Sequence, residues 1–112
     1  MQGLRLEAGG GNYLAVNQMH GHLYAVRAVA NAESALADLA YSATEHRWWR
    51  IRSMATGMVS WDTSTDGRIY TSRASGAVSF ALDALDVVME GDCPAGISAP
   101  CMAVFDNYNL PP

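Results

Sequence analysis

The chain reads as all-β, built as a sandwich or barrel. Three observations predict this. Apolar and polar residues alternate in many short runs. Turn signals separate those runs at short spacing: Gly9-Gly10-Gly11, His20-Gly21-His22, Thr56-Gly57, Asp66-Gly67, Ser75-Gly76 and Gly91-Asp92. All three tryptophans fall within HRWWRIRSMATGMVSWDTSTDGRIYTSR, His46 to Arg73, which reads as two strands, a tight turn and the start of a third strand. Many short strands with regular turns are the signature of a sandwich or barrel.

Taken in order, the expected strands are Gly3–Glu7, Tyr13–Val16, Leu23–Val29, Trp48–Ser53, Met58–Thr63, Ile69–Ser72, Ala77–Leu82, Asp86–Glu90 and Met102–Tyr108. The segment Asn31–Thr44 is ambiguous. Its alanines and leucines favour a helix, with Asn31 able to cap it and Glu33 in the first turn, where the helix dipole favours an acid. Yet Ala35, Ala37, Leu39 and Tyr41 also form one row of a strand, and periodicity alone does not decide between them. Taken by itself, the segment reads slightly better as helix. The hairpin at Thr63–Gly67 is the firmest local reading. Gly67 can adopt positive φ, and Ser64 or Asp66 can satisfy turn amides through side-chain oxygens.

A length of 112 residues predicts one domain with one core, spanning the whole chain, 1–112. Half the residues are hydrophobic and only 16% are charged, which excludes a disordered chain. The net charge of −4 argues against a nucleic-acid binder, because Arg47, Arg50 and Arg52 form the one basic cluster legible in the sequence. No apolar run is long enough to span a membrane, and the N-terminus carries no apolar signal core. No internal repeat is legible. Two cysteines flank a turn-rich loop, Cys93 to Cys101. A disulfide between them would stabilise the fold by about 2.6 kcal/mol in the chain-entropy model. Two separate buried thiols are the alternative, and the absence of further ligands nearby disfavours a metal.

Residues 46–71 resemble a pattern found in bacterial and phage β-sandwich domains of the concanavalin A-like lectin/glucanase type. The strand His46–Arg52, the turn at Gly57, the run Thr63-Ser64-Thr65-Asp66-Gly67 and an aromatic, Tyr70, three residues after the glycine carry the resemblance. Val104-Phe105-Asp106-Asn107-Tyr108 resembles the closing strand of such domains, and Asp86–Glu90 the strand before it. The likeness covers about residues 20–108 and draws 33–41 towards strand. It implies an antiparallel jelly-roll-like β-sandwich, either truncated or completed by oligomerisation, since the match falls on the C-terminal part of such domains. Uncovered sheet edges would then call for a homo-oligomer or a partner chain.

On a strand, Trp48, Arg50 and Arg52 share one face, and Trp49, Ile51 and Ser53 the other. Trp49 and Trp61 are expected in the core, with Tyr70 on the rim packing on Trp61 across the hairpin. Gly67, Cys93 and Cys101 are expected to be structural. The functional alternative makes Trp48 a flat platform for a sugar, with Arg50 or Arg52 bonding its hydroxyls and Tyr70 beside them. Asp62, Asp66 and Asp83 read as turn or edge residues. Asp106 is the candidate ligand for a structural calcium, which some domains of the resembled type hold beside a late aspartate. His20 and His22 could chelate a metal, but lack a third ligand. A glycosidase needs paired carboxylates, and Glu7, Glu33, Glu45 and Glu90 are scattered over separate elements. With the resemblance, these residues imply a non-catalytic binding module of lectin type, recognising a glycan or surface polymer through an aromatic-rich sheet, outside the cell or at a cell or particle surface. A coat, tail or filament protein with its aromatics at subunit contacts is the alternative.

Overall fold

The structure, a computed structural model, describes residues 2–54, 57–82 and 85–91. Among the described residues, eight strands form two antiparallel sheets and no α-helix occurs. This is an all-β, two-sheet arrangement compatible with a β-sandwich. The five-stranded sheet runs β4-β3-β2-β1-β8 and the three-stranded sheet β5-β6-β7. The expected strand Met102–Tyr108, with Asp106, and both cysteines lie outside the described residues, as does Asp83.

The large sheet begins as a meander of near-equal strands: β1 (Gln2–Gly9), β2 (Asn12–Met19), β3 (His22–Val29) and β4 (Ala32–Ala40). Two residues close each hairpin, and all six have positive φ: Gly10 and Gly11, His20 and Gly21, Ala30 and Asn31. Such loops match the right-handed twist of the strands they join. The turns therefore recur every ten residues, although the strand sequences between them do not repeat. Two of these turns interlock. Asn31 donates its backbone N–H to Gly11 O at 2.9 Å, and Ala30 N–H reaches Asn12 Oδ1 at 3.0 Å. A β-carbon on Gly11 would meet the Asn31 side chain at 2.6 Å, so this position needs glycine for space as well as for φ.

The ambiguous segment is strand over Ala32–Ala40, and none of it is helix. Asn31 serves as a left-handed turn residue at φ 68° rather than as a helix cap. Once the turn is set, β4 pairs with β3 from Ala32↔Val29 to Ala40↔His22. A bulge in that pairing leaves Leu36 as an extra residue, and Leu36, Ala37 and Leu39 all pack against the core. Tertiary pairing overrides the helix propensity of alanine and leucine.

The small sheet comprises β5 (Trp48–Ser53), β6 (Met58–Ser64) and β7 (Tyr70–Ala77). The core lies between the sheets. Leu14, Val16, Leu23 and Ala25 come from the large sheet and Val59 and Trp61 from the small one, with Trp49, Ile51 and Ala74 packed around them. The expected strand Ala77–Leu82 is corrected: β7 ends at Ala77, and 78–82 pairs with no strand among the described residues. Val78, Phe80 and Leu82 still pack against the core. Their alternation satisfies burial without a ladder, which is why the pattern resembled a strand. β8 (Asp86–Gly91) then returns to pair with β1.

The outer face of the large sheet is also shielded. Tyr13 pairs opposite Ala28, and its hydroxyl donates across β3 to the Glu33 carboxylate. Arg5 sits 4.9 Å from the centre of the Tyr13 ring. Ala28 beneath is fully buried. Burial and the bond to Glu33 push the Tyr13 phenol up to about 12.

Candidate functional site

The register of the small sheet fixes one composite face. Trp48, Arg50 and Arg52 on β5 stand opposite Ser64, Asp62 and Ser60 on β6. Ser64 and Asp62 stand in turn opposite Tyr70 and Ser72 on β7. Cross-strand partners project to the same side of a sheet. This outer face thus joins Trp48, Arg50, Arg52, Asp62, Ser60, Ser72 and Tyr70, while Trp49, Ile51, Val59 and Trp61 face the core.

Asp62 organises the face. The sequence reading placed it at a turn or edge, and the structure corrects this: β6 is the central strand, and the Asp62 side chain is 1% exposed. Its Oδ2 accepts from Arg50 Nε at 2.9 Å and Nη2 at 2.8 Å. Arg52 Nε lies 3.4 Å from the same oxygen. Its Oδ1 accepts from the Ser60 hydroxyl, which also contacts Ser72 Oγ at 3.0 Å. A buried carboxylate is tolerated when paired and hydrogen-bonded, and here both oxygens are engaged. The guanidinium of Arg50 lies 3.9 Å above the Tyr70 ring. Tyr70 is therefore not packed on Trp61, which points the other way; an arginine covers one face of its ring instead.

Trp48 is half-buried, and its indole rests on the Asp66-Gly67 loop. A β-carbon on Gly67 would come within 2.9 Å of two indole carbons, so glycine provides the seat. Two side chains brace the loop. Asp66 Oδ1 accepts from Arg68 N at 2.8 Å and Ile69 N at 3.0 Å, and Ser64 Oγ accepts from Gly67 N at 2.9 Å. The Arg68 amide most strongly, then the Ile69 amide and the Ser64 hydroxyl, which donates to Oδ1 at 2.9 Å, hold the Asp66 carboxyl below the usual aspartate range.

The loop before β5 fixes which tryptophan faces in. His46 is buried, and its Nδ1 accepts the Ser42 N–H at 3.1 Å, which places the imidazole proton on Nε2. The carbonyl of His46 accepts the Trp49 indole N–H at 2.7 Å. Burial lowers the His46 pKa, Arg73 lowers it further, and Glu45 opposes both. The unfolded chain therefore takes up the proton first as the medium acidifies. The stabilisation from neutral His46 is complete above pH 6.5 and drains away as the pH falls below that value. Asp66 adds a second loss, also with a lowered folded pKa, below pH 3.8. Urea midpoints measured across pH should show both declines, and His46→Asn, which keeps an acceptor near Nδ1, should remove the upper one. An unchanged upper decline in that variant would assign it to another group.

Sequence reasoning brought out Trp48, Arg50, Arg52 and Tyr70, and the structure places all four on one face. It missed Asp62 as their organiser, and Ser60 and Ser72 as its support. The available signal was the pairing of β5 with β6 across the turn marked by Gly57, since that register sets Arg50 opposite Asp62. His20 lies in a turn, and His22 Nδ1 bonds Asp38 Oδ1 at 2.7 Å. No group of three or more His, Cys, Asp or Glu suited to a metal occurs among the described residues. A gap between the sheets, lined by Val16, Leu23, Leu39, Trp61, Thr63 and Arg73 among others, has room for about one water molecule and none for a sugar. No helix among the described residues is long and apolar enough to cross a membrane.

Fold and site together define a two-sheet antiparallel β protein with a braced arginine–aromatic face. The chain matches no protein-family model, no curated protein and no solved structure.

Proposed function

We propose that the protein is a non-catalytic binding module of lectin type that holds a glycan on the outer face of β5–β7. The layered, jelly-roll-like kinship suggested by residues 46–71 belongs to this proposal. One observation carries the reading: a half-buried indole and two arginines stand on one sheet face, each already immobilised by a structural partner. Trp48 is seated on Gly67, and Arg50 and Arg52 are gathered by Asp62. Rigid groups lose little entropy on binding. Aromatic surface with a few placed polar groups suits a sugar, which presents both apolar ring faces and hydroxyls. The face carries one carboxylate, Asp62, held between two arginines, an arrangement suited to orienting donors rather than to shuttling protons.

Within the face the roles divide. Trp48 is the platform. Arg52, with its side chain 49% exposed, offers its terminal nitrogens as donors. Arg50 and Tyr70 form the wall beside them. Trp48 and Arg52 are four residues apart on one strand, about 13 Å along it, so the ligand is an extended chain rather than a single ring. The Trp48→Ala variant should lose about tenfold or more in affinity on a glycan array followed by titration, with its melting temperature little changed. Equal binding by variant and wild type would eliminate the platform.

A further inference from the structure

We infer that the ligand of this face is an acidic polysaccharide, and that Arg52 receives its anionic group. The inference rests on the glycan-binding reading above and narrows it to a chemical class. Three observations support it.

The first is how charge is distributed along the chain. All seven basic residues are arginine, and five of them, Arg47, Arg50, Arg52, Arg68 and Arg73, lie between positions 46 and 77. The same stretch contains two of the eleven acids, Asp62 and Asp66. An acidic protein therefore carries a locally cationic segment, in which Arg50 and Arg52 stand on the outer face of the sheet while Arg73 bonds Thr63 beside the gap between the sheets. Two like-charged side chains side by side repel one another; Asp62 offsets one of the two charges, and an anionic ligand would offset the other.

The second is the stoichiometry at Asp62. One carboxylate faces two guanidinium groups, so the cluster has one positive charge in excess. Arg50 is committed, since its Nε and Nη2 both reach Oδ2 and its plane covers Tyr70. Arg52 touches Asp62 through Nε alone, at 3.4 Å.

The third is geometry. A guanidinium held by its Nε edge still presents a fork of terminal N–H groups, which matches the two oxygens of a carboxylate or sulfate. A lysine would offer only a point charge. Asp62 is the positioning residue: buried beneath both guanidinium groups, it aims Arg52 without touching the ligand. Trp48, further along the same strand, takes the apolar face of a neighbouring sugar in the same chain.

Uronic acids and sulfate esters share this oxyanion chemistry, and the test separates them. Wild-type protein is titrated with polygalacturonate, its methyl ester, dextran sulfate and unmodified dextran at low and moderate salt. A single-stranded oligonucleotide of similar charge serves as a non-saccharide polyanion. Arg52→Gln is compared with Arg5→Gln, which removes the same charge from the outer face of the other sheet. One or both acidic polysaccharides should bind about tenfold or more tightly than their neutral counterparts, and more weakly as salt rises. Arg52→Gln should abolish that preference while Arg5→Gln leaves it intact. Preference for polygalacturonate identifies a carboxylate, and preference for dextran sulfate identifies a sulfate.

Neutral and acidic polymers bound alike, both dependent on Trp48, would overturn the acidic assignment and leave the glycan reading standing. Equal losses from Arg52→Gln and Arg5→Gln would also overturn it, by showing a diffuse field in place of a site. Oligonucleotide binding as tight as that of the acidic polysaccharides would do the same. Failure of every polymer to bind would remove the glycan reading itself.

Discussion

Trp61→Ala is expected to lower the unfolding free energy by about 3–5 kcal/mol, the usual cost of emptying a large aromatic site in a core. Trp61 is 1% exposed and lies against Val59 and the leucines and valines of the facing sheet. For a domain with an ordinary stability of about 5–15 kcal/mol, that loss leaves little folded margin. Trp61→Phe should behave differently. The indole N–H is buried without a hydrogen-bond partner among the described residues, and an unpaired buried donor costs about 1–3 kcal/mol. Phenylalanine forfeits contact area but removes that donor, so the two effects offset and the net change should stay within about 1.5 kcal/mol. Urea denaturation of the three proteins checks this. A phenylalanine variant as damaged as the alanine one would show that the N–H has an acceptor in the folded protein.

Gly67→Val is expected to destabilise the fold by about 2–5 kcal/mol, from two separable causes. The backbone at Gly67 has φ 75°, a left-handed conformation that a β-branched residue adopts only under strain. The added β-carbon would also lie 2.9 Å from the Trp48 ring, which must move. Because the same ring is the proposed platform, saccharide affinity should fall with stability. A double-mutant cycle separates the causes. In the Trp48→Ala background the steric overlap is gone and only backbone strain remains. Gly67→Val should then cost at least about 1 kcal/mol less than in wild type. Strictly additive effects would place the whole penalty in the backbone and detach Gly67 from the seating of Trp48.

The all-β class was legible in the sequence because alternation and turn residues are local. Each hairpin needs only its own loop chemistry, and His20-Gly21 and Asp66-Gly67 announce theirs. Alternation along Trp48–Ser53 likewise separated Trp48 from Trp49 without knowledge of the partner strand. Local signals failed where a partner decided the outcome. Asn31–Thr44 has a helix former's composition, yet β3 was already in place to pair with it. Ala77–Leu82 has a strand's alternation, yet past Ala77 it has no partner strand among the described residues. Asp62 shows the same limit at the site. A lone aspartate between Trp61 and Thr63 reads as a surface residue until Arg50 and Arg52 are laid opposite it.

Residue order alone thus determined the chemistry available to this protein: antiparallel ribbons, their turns, and a face of β5 that sets one tryptophan beside two arginines. Those properties depend on φ preferences and a two-residue period, both set within a few bonds. Tertiary structure alone decided that Asp62 is buried and holds two arginines, that Arg50 covers Tyr70, and that Trp48 rests on Gly67. Each of these joins residues on different strands, and a carboxylate's cost or benefit depends on what surrounds it once water has been excluded.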